Sequence, residues 1–358
     1  MRTLVTGATG VVGTEVVGRL RAGPERDVEP PGTAAGPGPG GPRPVVTAVA
    51  RRARDAAVTG WTIGAEPPPP EMAGHWDVIV HCAASTRWTL SREEAEAANV
   101  EPLRAVLSLA DRDTHVVHVS TAYVGGLRSP EDLRGAEFEG YRNGYEWSKA
   151  VCERVVREEH TGPLTIVRPP LIMGRRAGGE ISRFSGPYTI FQALVSGTAA
   201  VVVGDPEGYA EISPVDEVAD VVARAALGTP PGEPVVEVIA GGAGSLRLGS
   251  MIGIACRTLN EIREANGAAP IEQPPFVATE AWNRFFLPLA EQYLSPFQRQ
   301  AVKLLAMFQS YTSMAAPFEP THRVHDPAAV LESAVRHWAA RKPRLALATP
   351  DPWTLLTR

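Results

Sequence analysis

Lysine is nearly absent from this chain of 358 residues: only Lys149, Lys303 and Lys342 occur, and arginine supplies the rest of the basic charge. Cysteine is scarce too. Cys82, Cys152 and Cys256 lie far apart, are odd in number and match no metal-ligand spacing, which argues against a disulfide framework and gives no metal site. A reducing cytoplasm fits that usage. No uninterrupted apolar run reaches the roughly 18 residues that would span a bilayer, so no membrane span is expected. Met1 leads straight into a strand and a glycine loop, and no signal peptide is expected ahead of them. An excess of positive charge is also missing. The formal charge is -5, the pI is near 6.0 and the arginines are interspersed with carboxylates, so nucleic acid is not an expected partner.

The pattern that is present alternates strands with helices. Thr3 to Thr6 reads as a short buried strand, Gly7 to Gly13 as a glycine turn, and the following helix has Val16, Val17 and Leu20 on one face. From Gly23 to Pro44 the chain is Gly/Pro-rich with almost nothing to bury, which reads as a flexible insertion. Further strands are expected at Val45 to Ala50, Trp76 to His81, His115 to Ser120 and Leu164 to Arg168, with a minor one around Trp61 and Ile63. Helices are expected over Arg92 to Ala110 and Tyr145 to His160. After Pro170 the pattern loosens, then resumes with a helix from Val215 to Leu227 and a strand over Val235 to Ile239.

Such alternation predicts an α/β fold, a Rossmann-type doubly wound parallel sheet. A smaller, mostly helical C-terminal substrate lobe follows, bearing Trp282, Phe285, Phe286, Tyr293, Phe297, Phe308 and Tyr311. The expected division is a dinucleotide-binding domain of residues 1–168 and 212–240, and a substrate lobe of 169–211 and 241–358.

Gly7, Gly10 and Gly13 are spaced to let backbone approach a pyrophosphate at a helix N-terminus, with Thr9, Val11 and Val12 completing the cofactor loop. Where an acidic residue would bind a free ribose 2'-hydroxyl, the second strand instead ends in Arg51-Arg52-Ala53-Arg54. Guanidinium groups suit a 2'-phosphate, so Arg51 and Arg52 predict NADP(H) rather than NAD(H).

Tyr145 and Lys149 are four apart on a predicted helix and share a face. The ammonium there would lower the phenol pKa and reach a bound ribose. Ser120 and Thr121 end a strand, where the ligand crevice of a doubly wound sheet opens, and a hydroxyl from this pair would join the phenol on a carbonyl oxygen. His115 and His118 are three apart on a strand and face opposite ways, which speaks against a shared metal. Cys82 reads as a packing residue, and Arg87, Trp88, Arg175 and Arg176 as surface or packing positions that could also meet a substrate.

Taken together, the chain resembles an extended short-chain dehydrogenase/reductase. The matching segments are Thr6 to Gly13, His81-Cys82-Ala83-Ala84, Asn99-Val100, Ser120-Thr121-Ala122, Tyr145 to Lys149, Arg168-Pro169-Pro170 and Pro214 to Val218. The resemblance places the catalytic hydroxyl at Thr121, beside Tyr145 and Lys149, and cofactor contacts at Ala83, Ala84 and from Pro169 to Ile172. Within that superfamily, His118 to Val124 and His81 to Thr86 resemble fatty acyl-CoA reductases and thioester reductase domains. This implies NADPH-dependent reduction of an acyl thioester, bound to CoA or an acyl carrier protein, to an aldehyde or onward to an alcohol. A ketone or 3β-hydroxysteroid-type dehydrogenase and a sugar-nucleotide epimerase are alternatives on the same residues, and a dinucleotide-sensing binding protein is one from another class. Dehydration is disfavoured, because Thr121-Ala122-Tyr123 stands where dehydratases have Thr-Asp-Glu. The sequence leaves the oligomeric state open.

Overall fold

The computed structural model describes residues 1–23, 43–53, 56–125, 137–286, 288, 311 and 313–350. Most of the insertion, Arg54, Tyr293, Phe297 and Phe308 lie outside them. The described chain divides into two compact units, Met1–Arg168 with Val218–Glu237, and Pro169–Glu217 with Val238–Arg358.

The first unit contains β1 (Arg2–Thr6), α1 (Val11–Ala22), β2 (Val45–Ala50), β3 (Val58–Gly60), β4 (Val78–His81), α2 (Arg92–Ala95), α3 (Glu101–Leu107), β5 (His115–Val119), α4 (Gly144–Glu159) and β6 (Leu164–Arg168). Of the remaining strands, β7 (Leu171–Met173) pairs with β10 (Ile212–Pro214), β8 (Val202–Val203) with β13 (Phe276–Val277), and β9 (Tyr209–Ala210) with β12 (Leu246–Arg247). The last two are β11 (Val235–Ala240) and β14 (His322–Arg323). Sheet order is β14-β11-β6-β5-β4-β1-β2-β3, and the strands from β3 through β1 to β6 all run parallel. This is the doubly wound α/β architecture expected from the alternation, with its order reversing between β1 and β4.

Short apolar runs explain why these strands lie inside. Leu4, Val49 and Ile79 from β1, β2 and β4 pack with Trp61, Met72, Trp76 and Val106. A second cluster joins Val116, Leu164 and Ile166 of β5 and β6 to Leu103 and Leu107 of α3 and to Cys152, Val155 and Val156 of α4. Both buried indoles satisfy their N–H on backbone, Trp76 donating to the Met72 carbonyl at 3.1 Å and Trp61 to Glu66 at 3.0 Å.

Two expectations shift. The minor strand is Val58–Gly60, ending before Trp61 and Ile63, because the Trp61 ring is drawn into the core. The helix expected over 92–110 is interrupted by a π-turn at Glu96–Val100 between α2 and α3. Among the described residues of the second unit the principal helices are α5 (Tyr188–Ser196), α6 (Val215–Leu227, beginning there and continuing into the first unit), α7 (Leu248–Ala265) and a helix over Pro327–Arg341. Ile212–Pro214, grouped with the dinucleotide-binding domain from sequence, pairs with Leu171–Met173 in the second unit.

Candidate active site

Strand β1 delivers Gly7 into a turn at φ +69°, a conformation that disfavours any side chain. A Cβ there would lie 2.6 Å from the Ala83 nitrogen, just beyond β4, and one at Gly13 would lie 2.1 Å from the Gly7 carbonyl oxygen. The chain itself fills the space that these side chains would need. Gly10 N–H closes the turn on the Gly7 carbonyl at 2.8 Å, and α1 starts at Val11 with no side chain capping it. Helix N-terminal amides without a cap are ready anion donors. The loop of Gly7, Thr9, Gly10, Val11, Val12 and Gly13 therefore fits a dinucleotide pyrophosphate, at the point where the strand order reverses.

Helix α4 buries four polar side chains, Glu146, Ser148, Lys149 and Glu153. Burial of this kind is costly unless each group is paired. Glu146 faces Arg142 at 3.3 Å, and Glu153 accepts from Arg168 Nε at 2.9 Å. Ser148 donates to the Tyr145 carbonyl at 2.8 Å and accepts from Asn99 Nδ2 at 2.8 Å. Lys149 Nζ donates to the Val119 carbonyl at 2.6 Å and lies 3.3 Å from His118 Nε2. Asn143 starts the helix, its Oδ1 capping the Glu146 N–H at 3.0 Å.

One turn before Lys149, the Tyr145 hydroxyl shares a hydrogen bond with Thr121, which is buried just past the end of β5. Thus Thr121 and Tyr145 meet, while Lys149 lies one turn further along the same helix with its ammonium on Val119 and His118. The phenol's electrostatics differ from the expectation. Burial, then Glu146 and Cys152, raise the Tyr145 pKa, while the Thr121 bond acts to lower it. Lys149 is turned toward β5, and its own pKa is lowered, above all by burial. Its charge falls on His118, His81 and Cys82. Burial pushes the Cys82 thiol up to about 12, which leaves it protonated and inert as a nucleophile.

The sequence assigns no role at this site to the two histidines of β4 and β5. His81 and His118 stack with centroids 5.5 Å apart and planes 12° from parallel, and His81 Nδ1 meets Thr6 Oγ1 at 2.9 Å. Burial, reinforced by Lys149, lowers both pKa values, His81 to about 3. His115 points elsewhere, to Thr165 Oγ1 at 3.0 Å.

Asn99, which the sequence marks only within the Asn99-Val100 motif, is a positioning residue in the structure. It sits on the π-turn and bonds Ser85 and Ser148 together. The available signal is an amide among the apolar Ala97, Ala98 and Val100, but a π-turn leaves no mark in a 3.6-residue pattern. Among the other expected cofactor residues, Arg51 and Arg52 are exposed after β2, Ala83 is half-buried and Ala84 exposed. Pro169 and Ile172 fall in the second unit, Ile172 on β7. Arg176, also there, is engaged by Glu217 at 2.6 Å and by the His325 carbonyl at 2.7 Å. Among the described residues no helix is long and apolar enough to cross a membrane.

A family model described as "Male sterility protein" (NAD_binding_4) matches residues 69–222. The fatty acyl-CoA reductase wat of Drosophila melanogaster is 27% identical over 174 residues, covering 39% of this chain and 34% of that protein. An isonitrile lipopeptide synthase of Streptomyces coeruleorubidus is 28% identical over 253 residues, covering 64% of this chain and 17% of its own. The chain thus spans about a third of the length of the fatty acyl-CoA reductase it matches. Among solved structures, the terminal R domain from the myxalamid PKS-NRPS biosynthetic pathway superposes with a TM-score of 0.65 at 18% identity, over 98% of this chain and 92% of that one. These matches bear out the resemblance to the extended short-chain dehydrogenase/reductases, and within them to fatty acyl-CoA reductases and thioester reductase domains.

Proposed function

We propose that the chain is an NADPH-dependent reductase of acyl thioesters, with Thr121, Tyr145 and Lys149 as its catalytic residues. The hydrogen bond between Thr121 and Tyr145 carries this reading, because it converges two O–H groups on one point at the strand end. A substrate carbonyl oxygen placed there accepts from both. The raised pKa keeps the phenol protonated through the neutral range, so Tyr145 is poised to give its proton as negative charge develops on that oxygen. A reduced nicotinamide dinucleotide, held by the Gly7 to Gly13 loop and by Ala83 and Ala84, supplies the hydride. Arg51 and Arg52, exposed where β2 ends, favour the 2'-phosphorylated form. Lys149 has donors to offer the ribose hydroxyls.

Addition of hydride to the thioester carbon and of the Tyr145 proton to its oxygen gives a hemithioacetal. Collapse of that species breaks the C–S bond and releases aldehyde and thiol. The nearness to fatty acyl-CoA reductases and to a terminal R domain of an assembly line supports a thioester carried by CoA or by an acyl carrier protein. The test is NADPH oxidation with acyl-CoA, acyl-carrier-protein, ketone and UDP-sugar panels, scored together with thiol release. Thioester-dependent oxidation is expected. One NADPH consumed per thiol released marks the aldehyde as product, and two mark the alcohol. Turnover of a ketone or sugar without any thioester reduction overturns the substrate assignment.

A further inference from the structure

Lys149 is buried, at 2% exposure, and among the described residues its ammonium bonds no carboxylate. The carboxylate whose charge acts on it, Glu153, is bonded by Arg168. The other titratable groups acting on it are His118 of β5, His81 of β4, Cys82 just after β4 and Cys152 of α4. Both histidines are held neutral, and burial keeps both thiols protonated. The ammonium therefore depends on the lone pairs aimed at it, the Val119 carbonyl at 2.6 Å and His118 Nε2 at 3.3 Å. Both come from the end of the strand that also delivers Thr121.

We propose that His118 is a positioning residue for Lys149: its Nε2 accepts one ammonium N–H while the Val119 carbonyl takes another, which sets the direction of the third. This rests on the reading that Lys149 serves the reaction. An ammonium has three donors, so two anchors leave one N–H with a defined aim. For Nε2 to accept, the ring proton must sit on Nδ1. His118 Nδ1 is buried with no hydrogen-bond partner among the described residues, an unfavourable place for a polar N–H that is tolerated here while the other nitrogen serves Lys149. The stacked His81 ring keeps the imidazole plane in place and is itself tied to Thr6.

The test compares His118→Leu, which fills the space without an acceptor, with His118→Gln, whose Oε1 reaches toward the Nε2 position. Loss of a charge-assisted hydrogen bond predicts a fall of about tenfold or more in kcat/KM for His118→Leu. It also predicts that the alkaline limb of the pH profile moves about one unit toward acid, because the ammonium becomes less favourable. His118→Gln should recover most of the rate and restore the limb. Wild-type rates and an unmoved limb in His118→Leu overturn the proposal, as does a His118→Gln variant just as impaired. A packing role alone would lower thermal stability without moving the limb. Should His118→Leu fail to fold, nitrogen-15 NMR of histidine-labelled wild-type protein decides. The proposal expects a neutral His118 with its proton on Nδ1 at neutral pH, and a proton on Nε2 overturns it. Full activity in Tyr145→Phe or Lys149→Met would instead sink the catalytic reading and leave the His118 tautomer unaffected, so the two failures are distinguishable.

Discussion

The side-chain amide of Asn99 bonds both backbone groups of Ser85: Oδ1 accepts from the Ser85 N–H at 2.6 Å and Nδ2 donates to its carbonyl at 3.1 Å. The same Nδ2 reaches Ser148 Oγ at 2.8 Å, and Ser148 in turn bonds the Tyr145 carbonyl. A single buried amide thus ties the turn after β4 to the helix that holds Tyr145 and Lys149. The π-turn at Glu96–Val100 puts it there, since the extra residue rotates Asn99 relative to a regular helix.

Asn99→Ala takes away the partner of the part-buried Ser85 N–H and carbonyl and the donor to the buried Ser148 hydroxyl. The expected cost is about 1–3 kcal/mol, read by urea denaturation. A loss below about 0.5 kcal/mol, the range of ordinary surface changes, would show the network to be idle.

Tyr145→Phe removes the proton donor and keeps the ring. kcat should fall by about 10²- to 10⁴-fold with coenzyme affinity retained. Thr121→Val should lower kcat in the same direction, and Thr121→Ser should restore part of it. Steady-state kinetics together with NADPH titration by fluorescence separate the two quantities, and undiminished kcat in Tyr145→Phe refutes its role as acid.

Replacing Arg51 and Arg52 together by alanine should reduce kcat/KM for NADPH by about tenfold or more, the scale of a charge-assisted hydrogen bond, and leave NADH little changed. Equal losses with both coenzymes would mean that these guanidinium groups do not meet a 2'-phosphate.

Gly7→Ala forces a Cβ to 2.6 Å from the Ala83 nitrogen at a φ of +69°. Both steric and conformational strain follow, at a cost of at least about 1–3 kcal/mol. Thermal melting should drop by several degrees and coenzyme binding should weaken. Alanine accepted at Gly7 with unchanged melting and coenzyme affinity contradicts the packing seen between this turn and β4.

Stability should also depend on pH through the buried histidines. His81 titrates at about 3 and His115 at about 4 in the fold, and His118 well below its ordinary value, all because burial disfavours the cation. Unfolded histidine titrates near 6.5, so between these values the unfolded chain binds more protons. Their contribution is complete above about pH 6.5 and is lost as pH falls, by at most about 1.4 kcal/mol per pH unit for each histidine. Urea midpoints that match at pH 7 and pH 5 would rule this out.

The periodicity of short β-branched runs and amphipathic helices sufficed to place β2 and β6 to the residue, and α4 to within one position at each end. That legibility has a physical source. A parallel strand covered on both faces must be apolar along its length, and a helix over it must repeat every three or four residues. Glycine spacing is equally readable, and the packing adds a second reason for it. Gly7 and Gly13 are required by close approach of protein to protein, as well as by any phosphate.

What tertiary structure decided is the fate of polar groups far apart in sequence. His118 lies 31 residues before Lys149, and Ser85 lies 14 before Asn99. No local pattern records such pairings, because the driving force is the cost of leaving a buried donor or acceptor unmatched, and that cost exists only once the sheet has brought the elements together. The sequence by itself determined that Tyr145 and Lys149 share a helix face. Only the assembled sheet decided that Lys149 turns to Val119 and His118, while Tyr145 is met by Thr121.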